Sequence, residues 1–499
     1  MFTHLDKTFV IAHTQNHNVA SRARRNEISK KTDRRRRPPS VSNMPNKLAL
    51  LALGAGALAL ARIKDRAKSG AREANVDDDD MTAPKVTLVE SGSTTKRVKN
   101  TPQSIPAVSP LKARDASATN HTSAGLDAHE ITADGIAVTI STFGATIVKL
   151  KTRSVNVDGN AVKNFDDIVL GYDDCESYDD TEGRPYFGAV CGRVANRIAK
   201  GEFKVRNKMY TCAKNNGENT LHGGVSGWDR KRWTVEDKTR SSITLSYVSP
   251  DMEEGFPGTV KMYVVYSVVG YRERVNLVVD EKTQLVRIEV SKYAELTTKM
   301  TATTDSSTPI STVQHTYFNL HGHSSMQDCG AHVVEMPNCH AYVPVDENTL
   351  IPTGEGVRKV DGTPFDLRKP TAMFEKSPEG YDHSFVIAGA DATRPASELP
   401  REAPRLAARV TCADAGRALE VYTDAPGVHF YTGNFLSEDM VGNTKDGAAY
   451  ARQSGFCLET GWFPDAVNQN TKLGASYPGV IVNRGDTYSH TLTYRFLNV

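Results

Sequence analysis

The sequence predicts an all-β protein, a large antiparallel β-sandwich that follows a long, largely disordered N-terminal region. Three observations support this prediction. From about Leu126 onward, short runs alternate apolar with polar residues, and Gly, Asp, Asn and Pro recur about every ten residues between the runs. Long apolar stripes with helical spacing are missing from the same stretch. This combination favours an antiparallel sandwich over a parallel sheet covered by helices.

Residues 1–124 form the region that we expect to be disordered. It is rich in Arg, Ser, Thr, Ala, Asn and Pro, with a basic cluster between Arg22 and Arg37 and an acidic run from Asp77 to Asp80. Such a segment cannot bury enough apolar area to offset its chain entropy. The basic residues have no interleaved aromatic residues, and the net charge of the whole chain is only +2. Nucleic-acid binding is therefore not expected.

One apolar segment, Leu48–Ala61, interrupts this region. It is shorter than the roughly 20 residues that a helix needs to cross a bilayer, so we expect no stable membrane insertion of the folded domain. Read from Met1, it is an internal helix behind a basic leader, which is typical of organelle targeting. A start at Met44 would make it the apolar part of a secretory signal peptide. We expect a cytoplasmic protein, and secretion or organelle targeting stays open as the alternative.

Residues 125–499 are predicted to form the folded domain. Hydrophobic residues make up 39% of the chain and charged residues 24%, which allows a sizeable core without the composition of a membrane protein. In the strand-like runs, alternation places one face of each strand on that core. The clearest runs are Gly135–Leu150, Val260–Val269, Leu285–Leu296 and Ala418–Asn434.

The 7 cysteines are scattered along this domain without a CxxC pair. An odd number at long intervals is typical of reduced, buried thiols rather than of disulfides or a zinc site. We therefore expect structural cysteines and no metal. The positions are Cys175, Cys191, Cys212, Cys329, Cys339, Cys412 and Cys457.

Three polar clusters interrupt the strand pattern. In GRVANRI, Asn196 and Arg197 offer donors to a polyhydroxylated ligand, although an Arg that satisfies loop carbonyls would look the same. In LHGG, His222 precedes two glycines, which indicates a loop whose backbone passes close to another group; a tight turn alone would also explain the glycines. In YDHSF, Asp382 can accept hydrogen bonds from hydroxyls, although Asp is common in turns.

Two further residues are candidates for proton transfer. His315 is followed by Tyr317 and Phe318, an aromatic wall that suits the C–H face of a sugar. A hydrogen-bonded core histidine is the alternative there. Glu459 lies in the apolar run FCLET, where an unpaired carboxylate is unfavourable to bury, so a functional role is favoured.

From about Leu126 to Val499 the chain resembles the aldose 1-epimerase (galactose mutarotase) family. The resemblance implies a galactose mutarotase-like sandwich without a metal or organic cofactor. It also implies interconversion of the α and β anomers of free hexoses, such as glucose or galactose, through acid-base catalysed ring opening and reclosure. The matching blocks, in the family's order, are DIVLGYDD, YFGAVCGRVANRIAKGEF, LHGG, HTYFNL, FDLRKP, YDHSF, PGVHFYTGN and FCLETGWFPDAVNQ.

The resemblance also assigns roles to residues. His315 matches the general acid and Glu459 the general base. A monosaccharide is the implied partner, and the protein is expected to be a monomer or weak dimer. The positions implied to contact the sugar are Asn196, Arg197, His222, Asp382 and His429.

Three residues depart from the family pattern. Gln314 stands where Asn is usual, His429 stands where a sugar-contacting Gln is usual, and Gly461 follows LET where Gln is usual. We expect these differences to bear on substrate preference rather than on the chemistry. An imidazole can donate and accept hydrogen bonds like an amide, but its reach and protonation state differ.

Other functions remain as alternatives. A hexose-6-phosphate mutarotase would call for a cluster of Arg and Lys around the phosphate, whereas the matching blocks are mostly neutral and polar. A sugar-binding module without activity would not need an acid and a base. A glycosidase would normally need two carboxylates at the scissile bond, whereas the resemblance supplies one carboxylate and one histidine.

Overall fold

The computed structural model describes residues 10–11, 127–155, 161–179, 185–279, 286–387, 403–437, 444–473 and 477–499. Within these ranges the protein consists mostly of antiparallel sheets with few helices, which confirms the predicted all-β class. The predicted disorder of residues 1–124 and the apolar segment Leu48–Ala61 lie outside the described residues, apart from the short strand β1 (Val10–Ile11). Among the described helices, none has the length and apolar character that a membrane span requires.

The chain divides into two compact units. The first is Met1–Val108 with Leu277–Ile288, in which β1 pairs antiparallel with Val286 and Arg287. The second is Ser109–Asn276 with Glu289–Val499, and it contains every residue of the predicted site.

The largest sheet follows from long alternating runs. In Val260–Val269, for example, buried residues alternate strictly with partly buried ones, as the sequence predicts. Its strands, in spatial order, are β11 Thr234–Lys238, β12 Ser242–Ser249, β13 Val260–Val279, β14 Val286–Thr304, β28 Thr487–Asn498, β24 Arg417–Thr423, β23 Arg405–Cys412, β18 Val333–Glu335 and β21 Thr371–Ala372.

A second sheet carries three of the seven residues of the predicted site, Asp382, His429 and Glu459. Its strand β26 is buried at every position, because one face lies on the core and the other faces a cavity. The alternation of buried and exposed residues expected of a strand is therefore missing from β26. The strands, in spatial order, are β17 Tyr317–Phe318, β26 Phe456–Gly461, β25 Gly427–Tyr431, β22 Asp382–Ile387, β19 Cys339–Tyr342 and β20 Arg358–Lys359.

Smaller sheets and short helices complete the described fold. A third sheet consists of β2 Ala128–Ala133, β3 Ile136–Ser141, β4 Thr146–Val155 and β5 Ala161–Asp167. The two-stranded pairs are β6 Val190–Cys191 with β16 Val313–Gln314, β7 Arg197–Ile198 with β10 Thr220–Leu221, β8 Glu202–Val205 with β9 Lys208–Thr211, and β15 Thr308–Pro309 with β27 Ile481–Val482. The helices are α1 Cys175–Asp179 and α2 Ala466–Leu473, with 3-10 turns at Ala199–Gly201, Trp228–Arg230, Glu253–Gly255 and Lys445–Gly447.

One continuous hydrophobic core joins the three larger sheets. It includes Val138 of β3, Leu419 of β24 and Leu458 of β26, all almost fully buried. The ring of Phe318 in β17 meets the ring of Tyr494 in β28 edge to face, with centroids 5.1 Å apart. Aromatic contacts of this kind fix how the sheets pack, and with them the strand ends that surround the cavity.

Candidate active site

A cavity of about 380 Å³ opens beside the second sheet. That volume falls in the range of small-molecule sites. All seven residues predicted from the sequence line it, although they come from separate parts of the chain. They are Asn196, Arg197, His222, His315, Asp382, His429 and Glu459.

Strand register brings three of these residues onto one face. Strand β25 lies between β22 and β26, and His429 stands directly opposite Glu459 of β26. On the other side His429 stands opposite Ser384, two residues after Asp382 in β22. Because side chains alternate along a strand, Asp382, Ser384, His429 and Glu459 project from the same face.

His315 and Glu459 meet within the cavity. The Nε2 of His315 lies 3.4 Å from Oε1 of Glu459, and the two side chains are 6% and 3% exposed. Burial lowers the pKa of His315 below its usual range, and the nearby Glu459 carboxylate only partly opposes this effect. The pair can therefore serve as proton donor and acceptor for a molecule bound in the cavity.

The ring of His315 is held from several sides. Its Nδ1 lies 3.6 Å from the Sγ of Cys457, a buried residue two positions before Glu459. The Tyr317 ring stacks on it at 5.2 Å between centroids, and the His222 ring meets it edge to face at 5.1 Å. Its backbone N–H donates to the Ala189 carbonyl. These contacts leave Nε2 as the nitrogen that faces the carboxylate.

Asp382 and His429 form a second, tighter pair. The Nε2 of His429 lies 2.7 Å from Oδ1 of Asp382, and its Nδ1 lies 2.8 Å from Oγ of Ser384. Burial alone would lower the pKa of His429, but the hydrogen bond and charge of Asp382 outweigh it, so this pKa is raised. Burial would likewise raise the pKa of Asp382, and His429 and Arg197 reverse that effect. The result is a buried ion pair in the wall of the cavity.

Asn196 and Arg197 reach the cavity from β7 and the residue before it. Asn196 has a left-handed backbone with φ of 57°, and its side-chain oxygen accepts the N–H of Arg197. Asn residues tolerate this conformation better than most. The Nε of Arg197 donates to Oδ1 of Asn216, which fixes the direction of the guanidinium. Burial lowers the pKa of Arg197, and Asp382 and Glu459 counteract it.

The LHGG loop is tight because the backbone is crowded. A Cβ on Gly223 would lie 2.0 Å from the Gly192 carbonyl oxygen, and the residue has a φ of 89°. The glycines are therefore explained by the chain's own backbone. His222 still faces the cavity, with its Nδ1 accepting the backbone N–H of Asn196 at 3.3 Å. A neutral His222 consequently carries its proton on Nε2 and can donate it to a ligand.

Comparison with known proteins shows the family of the chain. The family model described as aldose 1-epimerase matches residues 127–284 and 281–495. The chain is 40% identical to the galactose mutarotases of Bos taurus and Homo sapiens over 371 residues, which covers 74% of this chain and 93% of each relative. The chain belongs to the aldose 1-epimerase family.

More distant members agree with this result. The aldose 1-epimerase of Escherichia coli K12 is 29% identical over 371 residues, covering 73% of this chain and 92% of that protein. A solved structure of an aldose epimerase homologue from C. elegans superposes with a TM-score of 0.59 at 26% identity, covering 76% of this chain and 100% of that one. A galactose 1-epimerase structure from Lactobacillus acidophilus shares the fold, with a TM-score of 0.53 and 23% identity over 73% of this chain and 92% of that one.

The three departures from the family pattern differ in position. Gln314 is fully buried outside the cavity lining, where its Oε1 accepts the Tyr266 hydroxyl and its Nε2 donates to the Gly188 carbonyl. Gly461 also lies outside the lining, and a Cβ there would approach Val313 at 3.0 Å. Of the three, His429 alone lines the cavity. Of these three departures, only the one at His429 can therefore contact a molecule in the cavity directly.

Several cavity residues were not predicted from the sequence. Tyr186 packs on His222 with ring centroids 4.6 Å apart and has a left-handed φ of 62°, which is rare for an aromatic residue. Asn216 holds Arg197, and Cys457 touches His315. Tyr186 belongs to the YFGAV block, so that block was a usable signal. Asn216 lies in a polar loop that looks like any other loop. Tyr317 of the predicted aromatic wall lines the cavity, whereas Phe318 of the same wall is buried in the core. The remaining unpredicted lining residues are Pro185, Leu221, Asn348, Thr349, Leu350, Tyr431, Phe435 and Leu436.

Proposed function

We propose that this protein is an aldose 1-epimerase that interconverts the α and β anomers of free hexoses, with His315 as acid and Glu459 as base. One observation supports this assignment most strongly. A buried imidazole nitrogen and a buried carboxylate oxygen face each other at 3.4 Å in a cavity of about 380 Å³. An acid and a base at this spacing can serve the ring oxygen and the anomeric hydroxyl of one sugar.

Ring opening moves two protons in opposite directions. The Glu459 carboxylate accepts the proton of the anomeric hydroxyl, while the His315 imidazolium donates its Nε2 proton to the ring oxygen. The bond between C1 and the ring oxygen breaks, and C1 becomes an aldehyde. Because burial lowers the pKa of His315, its imidazolium is a stronger acid than histidine in water, which favours donation to a weakly basic ring oxygen.

Reclosure reverses both roles. After rotation about the C1–C2 bond, neutral His315 removes the proton from the former ring oxygen as that oxygen attacks the other face of the aldehyde. Protonated Glu459 returns its proton to the carbonyl oxygen. No electrons or groups are gained or lost, so the cycle ends with the enzyme in its starting state.

The other predicted residues hold the sugar. Arg197 and His222 supply donors, and Asp382 supplies an acceptor beside its partner His429. Among the described residues that line the cavity, Arg197 is the only Arg or Lys. A phosphate group would favour several such cations, so a free hexose suits the cavity better than a hexose 6-phosphate. We propose that the enzyme is a monomer or weak dimer.

Replacing Glu459 tests the assignment. Glu459→Gln keeps the shape of the side chain but removes the base, so we expect catalysed mutarotation to fall by about 10²–10⁴-fold while sugar binding persists. Polarimetry on freshly dissolved α-glucose and α-galactose measures the rate, and calorimetric titration measures binding. Glu202→Gln, on an exposed position of β8, is the matched control and should behave like wild type.

The substrate class is tested with the same assay. Free glucose should be turned over much faster than glucose 6-phosphate, and no methyl glycoside should be hydrolysed. Wild-type rates in Glu459→Gln would refute the assigned base. Sugar binding without accelerated mutarotation in the wild type would instead indicate a binding module.

A further inference from the structure

A second cluster of ligand-type side chains lies away from the sugar cavity. His321 follows β17, Cys412 is the last residue of β23, and Asp414 lies in the turn between β23 and β24. The Nε2 of His321 is 3.3 Å from the Sγ of Cys412 and 3.5 Å from Oδ2 of Asp414. None of the three lines the cavity.

Hydrogen bonding alone does not satisfy this arrangement. A single nitrogen, Nε2 of His321, faces a thiol and a carboxylate at once. If Nε2 is protonated, it can donate to Asp414, but it cannot accept the thiol proton of Cys412. If Nε2 is unprotonated, it can accept that proton, but its lone pair then faces the carboxylate of Asp414. The other nitrogen of His321, Nδ1, is buried and has no hydrogen-bond partner among the residues that the structure describes. One cation at the centre would satisfy all three donor atoms together.

The spacing of the donor atoms suits a tetrahedral ion. Zinc binds a nitrogen at about 2.0–2.1 Å and a thiolate sulfur at about 2.3 Å, which at tetrahedral angles separates N from S by about 3.5 Å and N from O by about 3.3 Å. The observed distances from Nε2 of His321 are 3.3 Å to Cys412 and 3.5 Å to Asp414. These two separations therefore need little change to admit the ion, and the exposed Asp414 side chain can rotate to set its distance from Cys412.

The surroundings hold the cluster in place. Arg417, at the start of β24, donates from Nη1 to the carbonyl of Leu320 at 2.7 Å, which ties the His321 loop to the hairpin that carries Cys412 and Asp414. His332 packs edge-on against His321, with centroids 5.2 Å apart. Its Nε2 accepts the backbone N–H of Leu320, so we assign it to the wall of the site rather than to the ligand set.

We propose that His321, Cys412 and Asp414 bind one divalent zinc-type metal ion, with water as the fourth ligand. A mixed set of imidazole, thiolate and carboxylate matches the preference of Zn²⁺. The side chain of Asp414 is 65% exposed, which gives the ion an entry path and room for the water, while Cys412 is buried. Binding replaces the thiol proton of Cys412, so one proton is released for each ion bound.

Metal loading of the full-length protein tests the proposal. After incubation with Zn²⁺ and desalting, elemental analysis should find one ion per chain bound at this site. Co²⁺ used in place of Zn²⁺ should give the near-ultraviolet absorption of a thiolate–cobalt bond. Both signals should be lost in Cys412→Ala and His321→Ala, with an affinity loss of at least about a hundredfold, because a lost ligand outweighs a lost orienting residue. Cys339→Ala is the matched control, because it removes another buried thiol, whose sulfur faces the Ala407 carbonyl. This variant should keep both signals.

The sugar cavity must be separated from the proposed site. In the sugar cavity, His222, His315 and Glu459 place ligand atoms within 4.8 Å of one another, as His321, His332 and Cys412 do at the proposed site. A metal bound in the sugar cavity would give no thiolate absorption from Cys412 and would be displaced by saturating galactose. The proposal is overturned if Co²⁺ binding shows no thiolate absorption, if galactose displaces the ion, or if Cys412→Ala retains the metal as wild type does.

Discussion

The cavity contains two pairs of a histidine and a carboxylate that are alike in burial but opposite in the pKa shift of the histidine. The side chains of His315 and Glu459 are 6% and 3% exposed, and those of His429 and Asp382 are 12% and 16% exposed. The pKa of His315 is nevertheless lowered and that of His429 is raised. Burial disfavours the imidazolium in both places, so burial does not account for the difference.

Hydrogen-bond length separates the two pairs. His429 makes a hydrogen bond of 2.7 Å to Asp382, and Ser384 engages its other nitrogen at 2.8 Å. His315 stands 3.4 Å from Glu459, and its other nitrogen faces only the weakly polar sulfur of Cys457 at 3.6 Å. The same residue types thus form a fixed ion pair in one place and a pair free to exchange protons in the other.

The rate of mutarotation is the most direct way to separate the two pairs. We expect His315→Gln to lower kcat by about 10²–10⁴-fold, because it removes the acid. We expect His429→Gln to change kcat by less than about tenfold and to act mainly on KM, because an amide can still hydrogen-bond Asp382. Polarimetry with kcat and KM determined separately distinguishes the two results. Equal losses of kcat would contradict the division of roles.

The pH dependence of kcat/KM should follow His315. The proposed acid is active only when protonated, so the rate should fall by about tenfold per pH unit on the alkaline side, with a midpoint below 6.5. The positive charge of His429 lowers the pKa of His315, whereas Glu459 and Asp382 raise it. His429→Gln should therefore move the midpoint to higher pH. A midpoint that stays in place would show that the two pairs are uncoupled.

Stability should depend on pH through the fixed pair. The pKa of His429 is raised in the folded state, so its contribution is complete below the unfolded value of about 6.5 and is lost as pH rises through the folded pKa. We expect His429→Gln to lower the free energy of unfolding by about 1 kcal/mol at pH 6, in line with a charge-assisted hydrogen bond replaced by a neutral one. Urea unfolding at pH 6 and pH 9 measures the difference, which should shrink at pH 9.

His383→Gln provides a control of opposite sign. Burial lowers the pKa of His383 to about 4, so in the wild type its contribution is lost as pH falls. His383→Gln should therefore raise the free energy of unfolding at low pH. A pH-independent effect of His429→Gln would show that His429 stabilises the fold by packing alone.

The smallest effect should come from Cys457. A hydroxyl is a better hydrogen-bond acceptor than a thiol, so Cys457→Ser should raise the pKa of His315 and make it more like His429. We expect kcat to decrease by about three- to tenfold and the midpoint of the pH–rate profile to move to higher pH. Cys339→Ser, whose sulfur faces the Ala407 carbonyl, is the control and should leave the profile unchanged. A loss of activity without a shift of the pH–rate profile would show that Cys457 acts only through packing.

The sequence predicted the sheet class and the lining residues because both depend on local patterns. Alternation is readable in Val260–Val269, and Glu459 is conspicuous as a carboxylate in an apolar strand. What it could not predict is register. The contact between His429 and Asp382 joins positions 47 residues apart and follows from the pairing of β22 with β25. Nothing local in PGVHFYTGN shows that its histidine is charged.

The same limit applies to residues whose neighbours are distant in the sequence. Gln314 and Gly461 lie outside the cavity lining, so their expected effect on substrate preference stays a prediction. The seven cysteines are unpaired and buried, as predicted, and the expectation of no metal rested on their spacing along the chain. Spacing cannot reveal a neighbour such as His321, which is 91 residues from Cys412. The predictions for the N-terminal region and for location stay predictions.

The middle position of β25 has a consequence for how this enzyme can change over evolution. His429 lies between β22 and β26 and faces a carboxylate on each side, Asp382 across one strand boundary and Glu459 across the other. A single substitution of His429 changes the charge beside Asp382, which is proposed to hold the sugar. It also changes the charge beside Glu459, which is proposed to transfer protons. A replacement at Asp382 also reaches proton transfer, because its carboxylate raises the pKa of His315. A substitution of His429 that suits a new sugar therefore also changes the pH at which the enzyme works, and this limits which substitutions are acceptable.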